Sequence, residues 1–136
     1  MGRIAQDFKD AAFEDFVCGD VFHTTHHLDP AVVAEYDRLV EAPGSRATVP
    51  PWVYCTFLPM FRAMDSRMKQ GSIHARQTMT VHGSAAVGAT LDVEVRVAEK
   101  YERAGRRHLV LEIVFSDAER PVCTSTGTYL WGYATR

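Results

Sequence analysis

The apolar and polar positions divide the chain near residue 72, and beyond that point the pattern has period two. In "IHARQTMTVHG", Ala75, Gln77, Met79 and Val81 share one face, while His74, Arg76, Thr78, Thr80 and His82 share the other. "LDVEVRVAEKYERAG" puts Leu91, Val93, Val95 and Val97 in phase, and "RRHLVLEIVFSD" does the same with Leu109, Leu111, Ile113 and Phe115. "RPVCTSTGTYLWGY" is a last β-rich segment. These segments predict four antiparallel strands with one buried face each. Gly105 and Ala118 mark hairpin turns, and "SAAVGAT" reads as a further turn.

Ahead of residue 72 the period changes. Residues 3–11 are expected to form a short helix, and a strand is expected from about Asp20 to His27. Asp29 is placed to cap a helix that has Pro30 at its first position. Val33, Tyr36 and Val40 fall on one stripe of that helix, and Gly44 is read as its end. Then comes "VPPWVYCTFLPMFRAM", in which Thr56 and Arg62 are the strongly polar residues. Thr48 as cap and Pro50 and Pro51 at the start predict one helix through this stretch, bent at Pro59. A helix without a polar face is buried on all sides or lies in a membrane. This one is too short to span a bilayer and carries Arg62. Phe57 is therefore expected in a core, covered by the sheet on one side and by a short helix and a second subunit on the other. The expected architecture is a single α+β domain over residues 1–136. An antiparallel sheet of about five strands wraps around a central apolar helix, which is the hotdog fold.

Composition narrows the function. The formal charge of −2 and the scattered basic residues give no footprint for nucleic acid or for an anionic membrane. Cys18, Cys55 and Cys123 are odd in number and lack metal or redox spacing, so free thiols in the cytoplasm are expected. The N-terminus has acids throughout and no apolar run of the signal-peptide kind. No Gly-rich phosphate loop and no serine elbow occur, and no cofactor is expected.

Three segments resemble the MaoC-like hydratases of the N-terminal dehydratase type. "FEDFVCGDVF" is similar to the segment that leads into their first strand. "VPPWVYCTFL" is similar to the Pro-Pro start of their central helix. In the later strands His74, Gln77, His82, Gly88, Thr90 and Leu91 match the family pattern without a gap. The resemblance covers about residues 13 to 132. It implies a hotdog protein that binds an acyl thioester of coenzyme A or acyl carrier protein. It also implies hydratase or dehydratase chemistry on an (R)-hydroxyacyl chain, in a homodimer or in a heterodimer with a related hotdog chain. One departure stands out. The family carries Asp, then Asn-Pro, then His just ahead of the central helix, whereas the corresponding "EAPGSRATVPP" contains neither Asp nor His. This leaves a hydratase with relocated acid and base, a non-catalytic subunit of a heteromeric hydroxyacyl dehydratase, or a thioesterase. A ketosteroid-isomerase-like cone also suits the length, but the apolar helix argues against it.

The candidate relocated bases are His26, His27 and His74. In a strand His23 and His27 share a face and His26 points away, so "HTTHH" does not assemble a closed metal set, and no metal is expected. The competing account for all of them is ordinary strand histidine. Trp52, Val53 and Tyr54 are candidate substrate-binding positions, because first-turn N–H groups lack intrahelical partners, and Pro51 at the helix entry is grouped with them. The resemblance implies that such groups face a thioester carbonyl. Trp52 and Tyr54 also fit a plain core role. His82 joins the substrate-binding set through the matched strand pattern.

Overall fold

The computed structural model describes residues 8–42 and 44–134. Five antiparallel strands form one sheet: β1 (Val21–His27), β2 (Ile73–Val81), β3 (Thr90–Arg103), β4 (Arg106–Asp117) and β5 (Arg120–Leu130). Their order across the sheet is β1-β3-β4-β5-β2. The alternation read from the sequence sets the buried face of β3, where Leu91, Val93, Val95 and Val97 are buried. Leu109, Leu111, Ile113 and Phe115 continue that face on β4. Both hairpins close through two residues with positive φ, Ala104–Gly105 and Ala118–Glu119. That geometry matches the twist of the flanking strands.

Helix α1 (Pro30–Leu39) starts as expected, with the Asp29 carboxylate accepting from the Ala31 N–H at 2.9 Å. It ends at Leu39 rather than at Gly44, because Glu41 turns to positive φ and the Ala42 N–H bonds the Asp37 carbonyl. Of its expected stripe only Val33 is buried; Tyr36 and Val40 are exposed. Asp37 is buried instead and accepts twice from Arg46 Nε, at 2.9 and 2.8 Å.

The long central helix is not continuous. A 3₁₀ turn (Pro51–Tyr54) is followed by α2 (Leu58–Met64). Pro59 does not bend a helix interior but sits in the first turn of α2, where its missing N–H costs no intrahelical bond. Thr48 caps nothing; it bridges to Ala86. α2 packs on β1 and β3 and buries Pro59, Met60 and Phe61. Phe57, expected in the core, is 37% exposed.

Two further expectations change. Most of the expected helix over residues 3–11 lies outside the described residues, and its described end is extended: Asp10 bridges to Arg67 in parallel. The segment 82–89 keeps its expected turn at Val87 and Gly88 but joins no adjacent strands, because β2 pairs with β5 rather than with its sequence neighbour β3. The crossing segment is held by the Val49 N–H to the Ala85 carbonyl and the Val87 N–H to the Ala47 carbonyl.

Candidate functional site

β1 alternates strictly in burial, so Phe22, Thr24 and His26 face the interior side and His23, Thr25 and His27 face out. This carries His26 against the core, where its ring meets Phe115 edge-on at 6.1 Å. Beyond it opens a cavity of about 490 Å³ between the end of β1, α1, the 3₁₀ turn and α2. Its apolar lining comes from Leu28, Val32, Val33, Trp52, Val53 and Leu58. The polar groups on its wall are His26, His27, Asp29, Cys55, Thr56 and Arg62.

Behind the wall lie polar atoms without hydrogen-bond partners. His26 Nδ1 and Trp52 Nε1 are both buried without a protein partner, and so is the nearby Tyr54 hydroxyl. Native interiors rarely leave such groups unpaired. Burial, then the Arg62 guanidinium and His27, push the His26 imidazole below its ordinary pKa. A neutral imidazole at neutral pH can accept a proton. The one carboxylate in the lining, Asp29, already accepts from the Ala31 N–H, so His26 has no acid beside it in the manner of a dyad.

The cavity brings together His26, His27, Trp52 and Val53 of the anticipated residues and leaves the others apart. The Trp52 ring meets Tyr36 at 4.0 Å, tilted by 31°, and so joins α1 to the 3₁₀ turn. His27 is exposed, with Nδ1 3.2 Å from Thr90 Oγ1. Pro51 is exposed and outside the lining. Tyr54 is buried against Phe115 at 5.1 Å, and burial raises its hydroxyl pKa. His74 is displaced from its expected face. A bulge between His74 and Arg76 puts it opposite Tyr129, on the side of Gln77 and Met79. There it stacks on Tyr129 at 5.0 Å and meets Phe57 at 5.3 Å, away from the cavity. His82 bonds Thr124 Oγ1 at 2.8 Å and is also outside the cavity.

The helix-start donors are also altered. The Val53 N–H already bonds the Pro50 carbonyl at 3.2 Å, and Pro59 removes a donor from the first turn of α2. Sequence reasoning overlooked Arg62, Leu58 and Thr56 as wall residues. The signal for Arg62 was its being the lone charge in an apolar run. Among the described residues no group of three or more His, Cys, Asp or Glu could hold a metal ion. No helix among them is long and apolar enough to cross a membrane.

No protein-family model matches the sequence, and no curated protein matches it. Solved structures do match. The (3R)-hydroxyacyl-ACP dehydratase HadBC complex of Mycobacterium tuberculosis is similar at TM-score 0.63 and 15% identity, over 84% of this chain and 96% of that one. An R-hydratase of Pseudomonas aeruginosa is similar at 0.61 and 14%, over 90% and 86%. A MaoC-like dehydratase of Rhodospirillum rubrum is similar at 0.65 and 16%, over 87% and 94%. At such identities these likenesses establish the fold: the chain has the hotdog fold, α+β, with five antiparallel strands and a short buried helix.

Proposed function

We propose that the chain is a cytoplasmic, single-domain acyl-thioester-binding protein of the MaoC-like dehydratase and hydratase type that lacks the usual Asp/His dyad. The observation that carries this reading is the cavity: an apolar chamber of about 490 Å³ with His26 on its wall and its one carboxylate occupied in capping α1. Such a chamber suits an acyl chain, which gains from apolar burial. His26 is the relocated base, and Trp52, Val53 and Leu58 hold the chain. His27 stands at the rim. His74 and His82, with Pro51 and Tyr54, support the frame around it. The three free cysteines support a reducing compartment.

A second reading is favoured by the missing dyad and by the heteromeric HadBC likeness. In it the chain is the non-catalytic half of a dehydratase and a related hotdog chain supplies the Asp and His. A homodimer or a heterodimer is expected in either case, because β2 is exposed along both faces and Phe57 lies open beside it.

Water addition to an enoyl thioester needs a base for water and an acid for the α-carbon. The purified chain is expected to bind crotonyl thioester with little turnover, and to gain hydration when mixed with a hotdog chain that carries the dyad. Hydration by the chain alone at about 10 per second or more contradicts this. Hydrolysis of saturated thioesters in the same assay identifies a thioesterase instead.

A further inference from the structure

Arg62 is the wall residue whose chemistry an acyl chain leaves unused. It stands four residues after Leu58, on the same face of α2, and both line the cavity. The arginines in ion pairs among the described residues are Arg38, Arg46, Arg67, Arg96, Arg107 and Arg120, and Arg62 is not one of them. Among the described residues it also lies over no aromatic ring, unlike Arg106 over Tyr133 and Arg107 over Phe13. Asp29, the carboxylate on the same wall, caps α1. Arg62 is exposed and shares the lining both with the apolar side chains and with His26, His27, Asp29, Cys55 and Thr56.

A guanidinium at the edge of a cavity whose one carboxylate is already engaged is matched by a ligand oxyanion that accepts its forked N–H groups. We infer that the ligand of this cavity carries an anionic oxygen group that pairs with Arg62. This rests on the acyl-thioester reading and sharpens it. Two parts of such a ligand have this chemistry: a carboxylate on the acyl chain, and the phosphate of the thioester carrier.

The test titrates four thioesters into the wild-type chain and into Arg62→Ala, which alters an exposed side chain. S-butyryl pantetheine has no anion, S-glutaryl pantetheine has only the carboxylate, butyryl-CoA has only the phosphates, and glutaryl-CoA has both. Arg62→Ala is expected to weaken at least one anionic ligand by about tenfold or more and to leave butyryl pantetheine unchanged. Arg62→Lys is expected to recover part of the loss, since it keeps the charge but not the fork. A selective loss for glutaryl pantetheine assigns the group to the acyl chain; a selective loss for butyryl-CoA assigns it to the carrier. Equal binding of all four by both proteins overturns the inference and leaves the acyl-thioester reading standing. If the wild type binds none of the four, that reading fails. Hexanoate then decides the anion site by itself: binding that Arg62→Ala abolishes supports it, and binding that is absent or unaffected overturns it.

Discussion

The half of the molecule built from β3, β4 and β5 keeps its apolar alternation, with positive φ outside glycine confined to Ala104, Ala118 and Glu119 in the hairpin turns, and the half built from β1, α1, the 3₁₀ turn and α2 breaks several local rules. In the first half the apolar residues alternate and are buried, and the strands pair in long registers interrupted only by single irregularities. Its polar core residue is satisfied: Ser125 Oγ accepts from Gln77 Nε2 at 2.8 Å. Gly127 leaves the space that the ring of Tyr129 occupies, since a Cβ there would collide with that ring. Burial holds the Tyr129 hydroxyl up at about 12. In the second half the helix through the apolar run is interrupted between Tyr54 and Leu58, buried His26 Nδ1 and Trp52 Nε1 lack partners, and Arg62 forms no ion pair among the described residues. Local agreement marks the scaffold, and local conflict gathers around the candidate site.

The contrast can be broken most severely in the scaffold. Phe115→Ala removes a fully buried ring from β4 and is expected to cost about 3–5 kcal/mol. Chemical denaturation measures this, and a loss below about 1 kcal/mol would mean that the sheet half does not carry the core. Phe57→Ala is expected to cost only about 1–2 kcal/mol in the dissociated chain, because the ring is 37% exposed. If a partner covers α2 and β2, that cost grows with protein concentration, and sedimentation shows the variant dissociating more readily than the wild type. A cost independent of concentration would place Phe57 outside any subunit contact.

The smallest expected effect is one of pH. The folded state lowers the His26 pKa below its ordinary 6.5, so the unfolded chain binds more protons there. Stability from this group is therefore complete above 6.5 and declines as pH falls through that value toward the lowered folded one. Asp10 and Glu35, held down by hydrogen bonds from Arg67 and Arg38, act only at lower pH. Denaturation midpoints between about pH 7 and pH 5 are expected to fall in the wild type and to flatten in His26→Gln. Identical slopes in the two proteins would show that His26 is not buried as described.

The difference between the halves also decides what could be read from the sequence. Period two is a local signal, so β3 and β4 and their buried residues were legible one segment at a time, and β5 was legible as a strand. The neighbour of β2 was not, because pairing with β5 is settled by the whole sheet. Nor was the face of His74, because one extra residue in a bulge reverses the alternation behind it. Pro59 fits either a kinked helix interior or a first turn, and only the tertiary packing of Met60 and Phe61 selects the latter. Within the site the separation of His26 from His23 and His27 followed from alternation along "HTTHH", while its inward direction came only with the burial pattern of β1. The cavity wall did not, since Val32, Trp52 and Arg62 meet across three separate elements.

Thioester binding in that cavity is most directly measured by titrating crotonyl-CoA into the wild-type chain and into Val32→Trp. Val32 lines the cavity from α1 and is 56% exposed, so the larger ring fills the chamber without entering the core. Saturable binding to the wild type, weakened about tenfold or more in Val32→Trp with an unchanged melting curve, is the expected result. Equal affinity in the two proteins, or no binding to the wild type, would contradict it.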